Sequence, residues 1–230
     1  MVEKLAKKIG VKFNNLNLFQ QALTHRSYLN EHRDHKLEHN ERLEFLGDAV
    51  LELVVTEHLY ENYKNPEGEL TNWRAALVNG EMLAGISKKL GVEEFLMMSK
   101  GEAKDKGRAR QYLLANAFEA IVGAIYIDQK ENGYLECKKF ILKNVVSELP
   151  EILDKKLFMD PKSRFQEVSQ EKVGITPSYR VMSESGPDHD KKFVVGVYLN
   201  DELVAEGDGA SKQEAQKTAA IKALKAKNWE

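Results

Sequence analysis

Between Phe13 and Pro150 apolar positions recur mostly at three- and four-residue spacing, as in LFQQALTHRSYL and RLEFLGDAVLELVVTEHLY, the period of helices that bury a face. This pattern predicts an all-α region. Pro66-Glu67-Gly68 interrupts it, Thr71 suits a helix start before WRAALVNGEMLAGISKKL, and the charged stretch KGEAKDKGRAR reads as an exposed loop ahead of QYLLANAFEAIVGAIYIDQ. Beyond Pro150 the charged stretch ILDKKLFMD reads as a linker, and KSRFQEVSQEK as a short helix. The period then falls to two in SYRVMSES, KFVVGVYL and ELVAEGDG, separated by Gly-Pro-Asp and Asn-Asp turn residues, which predicts three consecutive antiparallel strands. Ser211 opens a last helix, SKQEAQKTAAIKALKAK, with Glu214 as its capping-box partner. The expected architecture is an all-α domain over 1–150, a linker over 151–161 and a small α+β domain of αβββα order over 162–230.

Composition adds mainly exclusions. With 42% hydrophobic and 30% charged residues in a chain of 230, there is enough apolar material for folded cores and too much for a disordered protein. Cys137 is the one cysteine, which excludes an internal disulfide and a cysteine zinc cage and suits a reducing, cytoplasmic setting. No run approaches the ~18 apolar residues of a membrane span, and MVEKLAKKIGVKF lacks the apolar core of a signal peptide, so neither membrane nor export is expected. A net charge of -2 argues against bulk attraction to nucleic acid, so any such grip must be local. A local surplus is hidden inside it: between Ser211 and Lys227 five lysines face one glutamate, a charge of +4.

The densest chemistry lies in NERLEFLGDAVLEL. Glu41, Glu44 and Asp48 stand at i, i+3 and i+7, within a helical stripe of about 60°, while Leu43, Leu46, Val50 and Leu51 cover other faces, suggesting a mostly buried helix with a single acidic edge. Like charges on adjacent turns repel, so something cationic should compensate. On the residues alone, a solvated acidic edge with Arg42 or another side chain as partner remains an open reading. A second helix, LLANAFEAIVGAIY, is apolar almost all round except for Asn116 and Glu119, which are again neighbours at i and i+3. Polar groups inside such a helix need partners, and a hard divalent cation shared with the first helix would satisfy carboxylate and amide oxygens together.

NERLEFLGDAVL resembles the signature of the ribonuclease III family, and ALTHRSYLNE, PEGELTNWRAALVNGEMLA and LLANAFEAIVGAIYID resemble that family's other blocks in the same order, over nearly the whole chain. The resemblance implies a metal site of Glu44, Asp48, Asn116 and Glu119, with Asp48 and Glu119 most directly catalytic and with Glu41 and Glu67 near it. It implies Mg²⁺, with Mn²⁺ as a substitute, and no small-molecule cofactor. It further implies a homodimer that cuts double-stranded RNA into short duplexes with 5′ phosphates and 3′ overhangs, in rRNA and mRNA processing. Asn116 departs from the pattern, since that position is commonly Asp in the family. Two unit charges ~4 Å apart at an effective dielectric of ~20 interact by roughly 4 kcal/mol, so losing one lowers metal affinity. Asn keeps a ligating oxygen and sheds desolvation cost, so the loss is partial. A variant that still cleaves, one that only binds duplex RNA, and a change engineered to trap RNA are the alternatives; retention of Glu44, Asp48 and Glu119 favours the first.

The αβββα segment, with GPDH in its first strand connection and GDGASKQEAQKTAA entering its last helix, resembles a double-stranded RNA-binding domain, a module that reads A-form shape over ~16 base pairs. By that resemblance Gln166 and Glu167 face one minor groove, Gly186, Pro187 and His189 reach the next, and Ser211, Lys212, Gln213, Gln216 and Lys217 lie at the phosphates. A helix N-terminus attracts anions independently of any family. Gln213 stands where family members often carry a second lysine, so Lys217 is expected to share the phosphate contact. The remaining candidates are weaker. His32, His35 and His39 have the spacing of a zinc site, but a polar loop explains them with less. Lys104, Lys106, Arg108 and Arg110 either steer phosphate or are ordinary exposed charge, and Cys137 is expected to pack rather than react.

Overall fold

The computed structural model describes residues 2–104, 107–187 and 191–229, and the chain divides into two compact units, 1–154 and 155–230. Helices α1 (Val2–Ile9), α2 (Leu16–Ala22) and α3 (Arg26–Glu31) open the first unit. The long α4 (Glu41–Asn62) follows, then α5 (Glu67–Val78), α6 (Gly80–Leu90) and the short α7 (Lys100–Lys104). Helix α8 (Arg108–Asp128) runs through the centre, and α9 (Gly133–Asn144) and α10 (Leu149–Asp154) close the unit.

Helix α8 is central because its residues leave it no solvent side over most of its length: Leu114, Ala117, Phe118, Ile121, Val122 and Ile125 are all fully buried. At its far end the buried Asp128 carboxylate accepts hydrogen bonds from the backbone N–H groups of Asn14 and Asn15, both at 2.7 Å, tying the start of α2 to α8. Helix α4 packs its Leu43, Gly47, Val50, Leu51, Val54 and Val55 inward. It departs from the single acidic edge expected for it, because Phe45 (83% exposed), Leu53 (57%) and Tyr60 (77%) form an apolar stripe in solvent.

Three other expectations shift. Helix α5 starts at Glu67, after Pro66, rather than at Thr71, whose hydroxyl instead donates to Glu67 Oε1 (2.9 Å) one turn back. Part of the expected basic loop is helical: Glu31 accepts from the Lys100 N–H (3.2 Å) at the head of α7, and Arg108 and Arg110 lie in the first turn of α8. Lys106 lies outside the described residues. Residues 151–154, expected as the beginning of a linker, continue α10, where Ile152 is buried.

In the second unit α11 (Pro161–Val173) precedes strands β1 (Ser178–Ser185), β2 (Lys192–Leu199) and β3 (Glu202–Gly209), and α12 (Lys212–Ala226) follows. The strands pair antiparallel in the order β1-β2-β3, with Val181 opposite Val195 and Val197 opposite Ala205. Period-two alternation turns Phe193, Val195, Val197 and Leu199 to one face, where they meet Phe165 and the buried Ala215, Ala219 and Ala223. Ser211 caps α12 as expected, its Oγ accepting from the Glu214 N–H (3.1 Å), but Glu214 Oε2 reaches the N–H of Ala210, one residue before the cap.

Candidate active site and RNA-binding face

Two glycines decide how the acidic residues meet. Gly47 lies between Glu44 and Asp48 on α4, and a Cβ built on it would stand 1.7 Å from the backbone oxygen of Glu119. Gly123 on α8 makes the reciprocal approach, its Cβ position 2.1 Å from the backbone oxygen of Leu43. The helices therefore touch backbone to backbone, closer than the 8–10 Å usual between packed helix axes with side chains in between allows. This crossing brings Glu44 and Asp48 beside Asn116 and Glu119. Neither glycine was singled out from the sequence, where a glycine inside a helical pattern shows only as a residue costing about 1 kcal/mol against alanine.

Burial, and after it mutual repulsion, disfavour charge on this cluster. Burial pushes the half-buried Glu119 up to about 8, with the charges of Asp48 and then Glu44 adding to it. Glu44 is also raised, by burial first and then by Glu41, with a smaller push from Asp48, while a hydrogen bond with the Asn116 side chain opposes them. Asp48 is exposed, which leaves the cluster open to solvent. The compensating cation anticipated from the sequence stands at the edge: Arg26 Nη1 is 3.4 Å and His39 Nδ1 3.7 Å from the Glu41 carboxylate. Glu67 is not brought to this cluster; it sits at the start of α5 beside a cleft lined also by Thr56, Tyr60, Thr71 and Arg74.

All four expected metal ligands offer hard oxygen atoms, the donor set that Mg²⁺ and its relatives take. Burial first, and then the neighbouring carboxylates, raise Glu119, and a cation in their midst would act the other way. Among the described residues no three acidic, histidine or cysteine side chains stand at metal-holding distances from one another, so the fit rests on donor type and charge. The histidine trio does not converge either: His32 stacks on Tyr28 (3.9 Å between centroids) and His35 meets that ring edge-on (5.3 Å). Arg110 is spoken for by Glu93 Oε1 at 2.9 Å, and Cys137 is buried with its thiol raised to about 12 by burial, with a smaller contribution from Glu136.

In the second unit Gln166 and Glu167 are exposed on α11, and Lys212, Gln213 and Lys217 are exposed on the first turns of α12. Gly186 holds a left-handed φ of 91°, ending β1 ahead of Pro187; His189 lies outside the described residues. Gln216 accepts a hydrogen bond from Lys162 Nζ (2.6 Å), a residue that sequence reasoning passed over.

Residues 15–149 match the Ribonuclease-III-like family model and residues 161–227 match the double-stranded RNA binding motif. A nuclease unit and a unit that grips duplex RNA thus share one chain. Ribonuclease 3 of Enterococcus faecalis is 45% identical over 98% of this chain and 96% of its own length, and Ribonuclease 3 of Leptospira interrogans is 45% identical over 95% and 87%. A solved nuclease domain of ribonuclease III from Campylobacter jejuni is 39% identical, with a TM-score of 0.57, over 65% of this chain and 99% of that one. The chain belongs to the ribonuclease III family, and it is an endoribonuclease acting on double-stranded RNA with a divalent metal cofactor. These matches do not favour reading it as a protein that binds duplex RNA without cutting. Among the described residues no helix is long and apolar enough to cross a membrane.

Proposed function

We propose that the chain cleaves double-stranded RNA with Mg²⁺ held by Glu44, Asp48, Asn116 and Glu119, and that Asn116 weakens the site without disabling it. The observation that carries this reading is the α4–α8 crossing, which gathers these side chains and pushes Glu119 up to about 8. The chemistry a divalent ion supplies there is Lewis-acid activation of water and stabilisation of the leaving 3′ oxygen. The chain's own residues do the positioning. Asn116 favours the charged form of the Glu44 carboxyl, Asp48 presents an exposed carboxylate toward the incoming phosphodiester, and Glu119, deprotonated when a cation offsets its neighbours, helps orient the attacking water. The products are short duplexes with 5′ phosphates and 3′ overhangs.

The working form is a homodimer. In support, the large apolar side chains of Phe45, Leu53 and Tyr60 are exposed on one side of α4 within about 80° of arc, and apolar side chains left in solvent along one face mark association sites. The Campylobacter jejuni nuclease domain has a region involved in dimer formation. A cytoplasmic setting, acting on rRNA and mRNA precursors, agrees with the lone, buried Cys137.

The test is to mix purified protein with long duplex RNA and Mg²⁺. Wild type is expected to release short duplexes, and Glu119→Ala to bind the RNA uncut. Cleavage at the wild-type rate by Glu119→Ala removes the proposed site.

A further inference from the structure

The lysines of α12 differ by position. Toward its C-terminal end Lys222 Nζ lies 3.4 Å from Asp208 Oδ1 and Lys227 Nζ 2.8 Å from Glu202 Oε1, so these charges are answered within the unit. Lys212 and Lys217, in the first turns, have no carboxylate within ion-pair distance among the described residues, and neither does Lys162 on α11. Lys162 nevertheless has a defined place. Its Nζ donates to Gln216 Oε1 at 2.6 Å and stands 5.3 Å from the centre of the Tyr179 ring.

We propose that Lys162 is a phosphate-contacting residue of the RNA-binding face, adding a third cation, from α11, to Lys212 and Lys217 of α12. The proposal rests on the assignment of that face to duplex RNA. An amide oxygen and an aromatic face orient an ammonium group without neutralising it. Of its three N–H donors one goes to Gln216, leaving two for a further acceptor. Gln216 is one turn beyond Lys212 and shares its face of α12, so the hydrogen bond brings the Lys162 ammonium to the side of α12 that carries Lys212. An ammonium held in place beside a further lysine-bearing face, with no carboxylate to offset it, calls for an external anion. On α11 itself Lys162 precedes the exposed Gln166 by one turn and shares its face. It therefore bridges the groove-reading pair on α11 and the phosphate-directed lysines of α12, where the RNA backbone must pass between them. Merely bracing α11 against α12 would need a donor at Gln216 and no charge.

The experiment separates charge from bracing. Full-length protein is titrated onto a mixed-sequence RNA duplex in EDTA, which suppresses cleavage, across a KCl series. Lys162→Gln, which retains a donor for Gln216, is expected to lower the slope of log affinity against log salt by about 1, equally for unrelated duplex sequences, with an unchanged thermal midpoint. Lys162→Arg is expected to keep the wild-type slope. Lys217→Gln, run alongside, tests the face itself. A slope unchanged by Lys162→Gln but lowered by Lys217→Gln overturns the proposal and leaves the face standing; slopes unchanged by both overturn both.

Discussion

Replacing Gly47 with alanine places a methyl carbon 1.7 Å from the Glu119 carbonyl oxygen, and 2.8 Å from the Gly123 nitrogen, both backbone atoms within α8. Neither can rotate away as a side-chain tip would. The contact must open from 1.7 to at least 3.0 Å, a displacement of about 1.3 Å between α4 and α8. Overpacking of a well-packed interior costs about 1–3 kcal/mol, and walls made of backbone put this case at the upper end. Alanine returns about 1 kcal/mol of helix propensity over glycine. The net loss is about 2 kcal/mol, or a thermal midpoint lower by about 4–8 °C for a unit of this size. The effect on cleavage is larger, because parting the helices moves Glu119 away from Glu44 and Asp48, and a misplacement near 1 Å costs about 10²-fold in rate. Single-turnover cleavage of duplex RNA, measured well below the midpoint where circular dichroism reports a folded protein, checks this. Gly85→Ala in α6 is the control, since a Cβ there meets nothing within 4 Å; it is expected to gain about 0.5–1 kcal/mol and cleave normally. Wild-type cleavage and stability in Gly47→Ala would refute the crossing as the device that assembles the site.

Two further outcomes follow from the charges. Because the folded-state pKa of Glu119 is raised from 4.5 to about 8, the folded metal-free protein holds this proton more tightly than the unfolded chain, and stability falls as pH rises through that window. Discounted for the partial exposure of the group, the penalty above pH 8 is about 1–3 kcal/mol, so Glu119→Gln melts higher than wild type in EDTA at high pH, with the gap closing below pH 4.5; a gap that does not vary with pH contradicts the assignment. Asn116→Asp adds a carboxylate to the same cluster and is expected to lower the Mg²⁺ concentration for half-maximal cleavage at least about tenfold, a modest share of the roughly 4 kcal/mol two close charges exchange; an unmoved midpoint means Asn116 does not face the ion.

Much of the fold was legible because it follows from the burial of a residue's own side chain. The unbroken apolar run of LLANAFEAIVGAIY marks a central helix, and α8 is one. Strand alternation in KFVVGVYL and the serine cap at Ser211 belong to the same local kind of signal, and both are where the pattern put them. The start of α5 was misplaced because Thr71 has the chemistry of a cap, and periodicity cannot tell a cap from a threonine bonded to Glu67 inside the helix. The exposed stripe of Phe45, Leu53 and Tyr60 was missed for a related reason: apolar residues on a helix announce burial without saying against what.

The candidate site shows the same limit in sharper form. Spacing put Glu44 with Asp48 and Asn116 with Glu119, since each pair lies on one helix, but joining the pairs needs a relation between helices more than sixty residues apart in the chain. What sets that relation is the absence of side chains at Gly47 and Gly123. A missing side chain leaves no mark on a hydrophobic pattern, and glycine in a helix costs about 1 kcal/mol against alanine whatever its purpose. Glu67 shows the converse, an acidic residue expected near the site that within one chain sits beside Tyr60 and Arg74 on the exposed side of α4. That is the side bearing the apolar stripe, so if a second chain covers it, Glu67 is buried at the seam between two nuclease units, and its effect on cleavage would then depend on protein concentration as that of Glu119 would not.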